Sequence, residues 1–281
     1  NASGNKAFIP YIMAGDNGLE TLRTTVLRLQ EIGVTAIEVG IPFTDPVADG
    51  PTIEKAGERA LANGTNLRNV LETLKSFANE VTIPLVAMTY LNPILAYGAE
   101  TFARDARKAG IRGLIVPDMP LEESGIIHEE LRAEGISLIQ LVSLTSPPER
   151  IAKLAKASEG FIYAVTVNGI TGARAEFANN LSEHFAQLKS FSSIPVLAGF
   201  GISTPEHVEH FGTFSDGVIV GSKIVDSLAH GDWDTIEALV KAAKRMEVKY
   251  MEAREKKSYF SEFGVRCVPP DLRNVLDILE E

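Results

Sequence analysis

Short apolar runs and amphipathic stretches alternate along this chain with a regularity that predicts its architecture. The runs at Phe8–Ala14, Ala36–Gly40, Leu85–Thr89, Gly113–Val116, Ser137–Leu141, Phe161–Val165, Val196–Ala198 and Gly217–Val220 are brief, apolar and mostly β-branched. Parallel strands covered on both faces read this way, because neither face meets water. Between them lie LETLRTTVLRLQEIG, AETFARDARKAG, EESGIIHEELRAEG and PERIAKLAKASEG, each with apolar residues at helical spacing. Several close at glycine (Gly33, Gly110, Gly135, Gly160), the residue that most easily takes the left-handed turn ending a helix. Eight strand–helix units predict a single (β/α)8 TIM barrel in the α/β class. An open, doubly wound sheet is the alternative, since periodicity does not report closure. After Ala229 one long helix is expected, with Ile236, Leu239, Val240, Ala243, Met246 and Tyr250 on its core-facing stripe. The barrel is placed at residues 1–255 and a C-terminal extension at 256–281.

The same alternation isolates one unusual residue. In AIEVG, Ala36, Glu38 and Gly40 share one face, and Ile37 and Val39 the other. The larger pair suits the helices, which turns Glu38 into the barrel near its upper rim. A lysine or arginine partner is the plain explanation for such a carboxylate, but no strand supplies an inward base. A carboxyl in an apolar mouth has a raised pKa and can give and take a proton near neutrality. The following loop, TDPVADGPTIE, carries Asp45 and Asp49. Either can be a turn residue, and Asp49 could cap the helix beginning near Pro51.

Glycine-bearing strand ends form a second group: VNGITGAR, AGFGIS and GVIVGSKIV. Glycine allows close backbone approach, and a helix N-terminus offers free amides and a positive dipole end. Gly172, Gly201, Gly221 and Ser222 are thereby candidates for a phosphate cradle, where barrels commonly hold one. Lys223 reads as a solvated helix-start residue. His207, His210, His128 and His184 read as surface residues, since no carboxylate or cysteine completes a metal set. No Ser-His-Asp arrangement, Walker loop or dinucleotide fingerprint stands out.

Composition narrows the partners. The 281 residues hold 27 Lys and Arg against 37 Asp and Glu, a net charge of −10, which disfavours nucleic acid. One phosphate on a small molecule is still compatible, because backbone amides can hold it. No long apolar run predicts a membrane span, and nothing at the start resembles a signal peptide. The single cysteine, Cys267, excludes an internal disulfide and suits a cytoplasmic protein.

Seven segments, FIPYIMAGD, IEVGIPFTDPVADGPTIEKAG, MTYLNPI, GLIVPDMP, YAVTVNGITGAR, VLAGFGIST and DGVIVGSKIV, occur in an order that closely resembles the tryptophan synthase α-chain family. The resemblance runs from about Phe8 to about Ala229, and PFTDPVADGPTI is its most specific part. It implies a lyase that splits indole-3-glycerol phosphate into indole and glyceraldehyde 3-phosphate, with no metal or cofactor of its own. Glu38 would then carry the proton and Asp49 would accept the indole N–H. Tyr11, Tyr163 and Phe200 would line the substrate pocket, with Thr171 closing on Asp49 from a lid loop. Gly172, Gly201, Gly221 and Ser222 would hold the phosphate, and Asp45 would communicate with a partner. That partner would be a β chain carrying pyridoxal phosphate, in an α2β2 heterotetramer. The short helix that usually precedes the family's first strand has no counterpart before Phe8, and the segment 256–281 faintly resembles the opening of a β chain. A free-standing lyase, a non-catalytic partner-activating barrel and another phosphosugar enzyme are the rival readings; the last would need a Schiff-base lysine or a metal.

Overall fold

A computed structural model describes residues 6–165, 181–199 and 201–244 of the chain. Its strands form at the apolar runs: β1 (Ala7–Met13), β2 (Ile37–Gly40), β3 (Leu85–Met88), β4 (Ile111–Ile115), β5 (Ser137–Leu138), β6 (Leu141–Ser143), β7 (Ile162–Val165), β8 (Val196–Gly199) and β9 (Gly217–Val220). All pairings are parallel, in the order β5-β4-β3-β2-β1-β9-β8-β7-β6. The two ends of that order are one stretch of chain. β5 pairs with β4, β6 pairs with β7, and only Ile139 and Gln140 lie between them. The Ile139 N–H donates to the Leu114 carbonyl at 2.9 Å, and the Gln140 carbonyl accepts from the Tyr163 N–H at 3.2 Å. The stretch 137–143 therefore hands over from one neighbour to the other, and the sheet closes into an eight-stranded (β/α)8 barrel.

The pleat divides the core in two. Ile9, Ala36, Val86, Ile115, Ile139, Tyr163, Leu197 and Ile219, one from each barrel strand or its immediate flank, pack together inside. The alternate residues, including Phe8, Ile12, Ile37 and Val39, face outward into the larger core beneath the helices. Burying each such side chain contributes roughly 1.5–3 kcal/mol, so a one-residue register slip in any strand is prohibitive.

The helices that cover this outer face start and stop where local chemistry directs. α1 (Leu22–Ile32) ends at Gly33, whose φ of 88° lets its N–H reach back to the Gln30 carbonyl. α2 (Pro51–Ala62) begins with Pro51 behind an N-cap Gly50, a position where proline's missing N–H costs nothing. α3 (Leu67–Ser76), α4 (Leu91–Tyr97) and α5 (Ala99–Lys108) follow. The expected helix over EESGIIHEELRAEG is instead a 3-10 segment, Leu121–Ile126, and then α6 (His128–Ala133). Ile127, at φ −132°, breaks the two apart. α7 (Pro148–Ala157), α8 (Leu181–Ser190), α9 (Pro205–Gly212) and α10 (Ser222–Ala229) complete the units described. The helix α11 covers 233–244, with Ile236, Leu239, Val240 and Ala243 buried. Met246, Tyr250, Cys267 and the segment 256–281 lie outside the described residues. Among the described residues, no helix is long and apolar enough to cross a membrane.

Candidate active site at the barrel mouth

A cavity of about 330 Å³ opens at the C-terminal ends of the strands. β2 supplies its acid. Ile37 and Val39 are fully buried toward the helices, so the intervening Glu38 points inward and is only 2% exposed. Its neighbour across the ladder is Tyr11, in register on β1. No hydrogen bond or salt bridge to the Glu38 carboxyl is present among the described residues. Burial is the main reason its pKa rises to about 8, and the Asp49 charge adds to the rise.

Asp49 reaches the cavity from the loop between β2 and α2. It does not cap α2, whose N-cap is Gly50 with no side-chain bond. The loop is held by its own turns, with Asp49 N–H donating to the Pro46 carbonyl, and by Tyr90. The Tyr90 hydroxyl accepts the Ala48 N–H at 3.1 Å and its ring stacks on Phe43 at 5.2 Å. Burial pushes the Asp49 carboxyl up to about 6; the Tyr90 hydroxyl works against that shift and Glu54 adds to it. Its Oδ1 is buried without a hydrogen-bond partner among the described residues. Near pH 7 the mouth therefore holds one protonated acid, Glu38, and one carboxylate, Asp49.

Two tyrosines wall the acid in. Tyr11 and Tyr163 are buried, and burial raises both phenols well above their usual range, so they remain protonated. Each needs a glycine to make room. A Cβ at Gly40 would collide with the Tyr11 hydroxyl, and one at Gly199 would penetrate the Tyr163 ring.

The opposite wall is built from backbone. Gly201, Ile202 and Ser203 line the cavity ahead of α9, and Gly221 and Ser222 line it where β9 turns into α10. The first amides of a helix have no intrahelical acceptor, and its dipole is positive there, so this wall suits an anion. Lys223 lines the same wall, its Nζ 3.8 Å from Asp226 Oδ2.

The structure thus brings together Glu38, Asp49, Tyr11, Tyr163, Gly201, Gly221 and Ser222. Asp45 is on the exposed rim beside Val47, which is 74% exposed, and does not line the cavity. Thr171, Gly172 and Phe200 lie outside the described residues. Sequence reasoning overlooked Tyr90, Gly40 and Gly199, and read Lys223 as solvated. MTYLNPI and the two strand-end glycines were the available signals, but their partners lie far off in sequence, in the loop after β2 for Tyr90 and on β1 and β7 for the glycines. His207 and His210 are exposed on α9, His128 contacts Glu159 at 3.0 Å, and His184 is half-buried on α8. No group of three metal-binding side chains occurs among the described residues.

Comparison with known proteins gives a consistent result. The family model described as tryptophan synthase alpha chain matches residues 1–258. The tryptophan synthase alpha chain of Bacillus cereus (strain ATCC 10987) is 50% identical over 245 residues, covering 87% of this chain and 95% of that one. Among solved structures, tryptophan synthase subunit alpha from Campylobacter jejuni superposes with a TM-score of 0.76 at 35% identity, over 86% of this chain and 96% of its own. A Mycobacterium tuberculosis tryptophan synthase structure gives 0.78 at 35% identity, over 86% and 94%.

Proposed function

Because the chain belongs to the tryptophan synthase alpha-chain family, we propose that Glu38 and Asp49 carry its reaction and that the glycine-rich wall holds the substrate phosphate. The protein is a carbon–carbon lyase of tryptophan biosynthesis, cleaving indole-3-glycerol phosphate to indole and glyceraldehyde 3-phosphate. The bond to be broken joins the side chain to C3 of an aromatic ring, and that carbon must become tetrahedral first. Protonated Glu38 delivers its proton to C3, and the positive charge spreads to the ring nitrogen. The Asp49 carboxylate accepts the N–H and stabilises that charge. Glu38, now a carboxylate, takes the proton of the side-chain hydroxyl. The carbonyl forms, the carbon–carbon bond breaks, and its electron pair restores the aromatic ring. One group acting as acid and then base requires a pKa near neutrality, which burial supplies.

Tyr11 and Tyr163, with Phe200, flank the indole, and Thr171 closes over Asp49. Gly172, Gly201, Gly221 and Ser222 hold the phosphate, whose binding energy orients the reacting end without taking part in the chemistry. The chain pairs with a β chain. We assign an α2β2 arrangement, with pyridoxal phosphate on β and Asp45 signalling across the contact; the exposure of Asp45 and Val47 supports a rim facing a partner. A cytoplasmic location fits the single cysteine. The family match ends at residue 258, which supports reading 1–255 as the barrel and 256–281 as an appendage to it.

The observation that carries this reading is the buried Glu38 carboxyl facing the cavity, with no hydrogen bond or salt bridge to it among the described residues. Indole release from indole-3-glycerol phosphate, measured with a β chain present, tests it. Glu38→Gln is expected to lower kcat by about 100-fold or more. A folded Gln variant with near-normal cleavage would remove Glu38 from the proton path.

A further inference from the structure

A phosphate monoester is close to a dianion near neutrality, yet the cavity proposed to hold one contains two acids. Glu38 and Asp49 both line it, and the whole chain carries a net charge of −10. A helix N-terminus offsets only about half an elementary charge. Among the described residues, Lys223 is the one cationic side chain lining the cavity. It sits next to Ser222 in the first turn of α10, on the wall opposite the acids.

Its attachment within the protein is loose. Nζ stands 3.8 Å from Asp226 Oδ2, the lysine side chain is 33% exposed, and its charge also reaches Asp232. Exposed pairs of this kind contribute little, whereas a charge-assisted bond to phosphate is shorter and stronger. A four-carbon stem lets the ammonium trade one for the other.

We infer that Lys223 is a specificity residue for the phosphate end of the substrate: it leaves Asp226 and closes on the phosphate from the side of the cradle facing solvent. This rests on the function proposed above. It gives a phosphorylated ligand an advantage that backbone amides alone would not, and it neutralises phosphate charge that the Asp49 carboxylate would otherwise repel. A lysine that merely bridges Asp226 and Asp232 would affect stability alone.

The test compares wild type, Lys223→Met and Lys223→Arg as full-length chains. Kinetics of indole-3-glycerol phosphate cleavage are measured with a β chain present, at low and high salt. Glycerol 3-phosphate binding is titrated separately. Lys223→Met is expected to raise KM about tenfold and weaken glycerol 3-phosphate by the same factor, with kcat within about twofold. The salt dependence of KM should flatten in that variant, and Lys223→Arg should keep most of the affinity. Unchanged KM and unchanged glycerol 3-phosphate affinity in Lys223→Met overturn the inference. If wild type fails to cleave the substrate, the proposed function falls, and glycerol 3-phosphate binding still decides Lys223: a loss in the Met variant supports it. No binding to wild type, or no loss in the variant, refutes it.

Discussion

Replacing Glu38 with Gln keeps the shape of the side chain but removes its proton, and the cost of burying that carboxyl can then be measured. An ordinary glutamate titrates near 4.5; in the folded protein this one is raised to about 8. Between those values the native state holds a proton that the unfolded chain has released. Stability must therefore fall as pH rises through that window, and it is fully retained below the unfolded value. At pH 7 the window spans 2.5 units from the ordinary 4.5, and at 1.36 kcal/mol per unit the penalty is about 3 kcal/mol. Gln carries no such penalty, although its amide also has to be desolvated. Glu38→Gln should thus be more stable than wild type by roughly 2–3 kcal/mol at neutral pH, or roughly 5–10 °C in Tm. The gain should shrink steadily toward acid and vanish below about 4.5. Urea unfolding of both proteins from about pH 5 to pH 8, with equal m-values, gives the difference directly. Parallel stability curves, or a Gln variant less stable at pH 7, would mean that the carboxyl is solvated or paired in the native state. Glu38 would then be ionised at neutral pH and could not deliver a proton to the ring.

Three other expectations follow from the mouth of the barrel. The pH profile of kcat/KM should be bell-shaped, rising through about 6 as Asp49 ionises and falling through about 8 as Glu38 loses its proton; activity still climbing above pH 8 contradicts the assignment. Gly199→Ala should drive a methyl into the Tyr163 ring, costing about 1–3 kcal/mol by overpacking and lowering kcat/KM; an unchanged urea midpoint counts against that packing. Tyr90→Phe keeps the stack on Phe43 but deletes the hydroxyl that holds Ala48 N–H. It should lower kcat/KM about tenfold with a stability loss of about 1 kcal/mol, and wild-type kinetics would show that the loop needs no such clamp.

The period-2 pattern was enough to place Glu38, because large residues on both sides of it left only one inward face. The glycines closing the helical stretches were legible too: Gly33, Gly110 and Gly135 follow the ends of α1, α5 and α6 at positive φ, whereas α7 stops at Ala157, where Ser158 turns extended ahead of Gly160. Closure was not legible, since it depends on residues 137–143 pairing with two different neighbours, and nothing local marks a strand that changes partner. Gly40 and Gly199 were visible as glycines, but not as space for particular rings, which come from β1 and β7. Lys223 looked like any solvated residue in a first turn, because the acids across the cavity lie far away in sequence. Asp45 and Asp49 looked alike in the loop, and only the fold separates an exposed rim from a cavity wall.

The handover at Ile139 and Gln140 also bears on how the cavity comes into being. Every ladder joins strands that are neighbours in the chain, except one: β1 with β9, where Ala7 to Pro10 align with Gly217 to Val220. The first half of the chain can wind up from β1 to β5 and the second from β6 to β9, each through local pairing. Only the β1–β9 ladder must bear the loop-closure entropy of the full barrel, a cost that grows slowly with length but is met late. Tyr11, Glu38 and Asp49 belong to the first half; Tyr163, Gly201 and the α10 wall belong to the second. Neither half holds a complete mouth, so a partly wound chain would present an acid without a cradle or a cradle without an acid. Recovered activity in a refolding experiment would thus report this final zipping step, and would lag behind the return of helical signal.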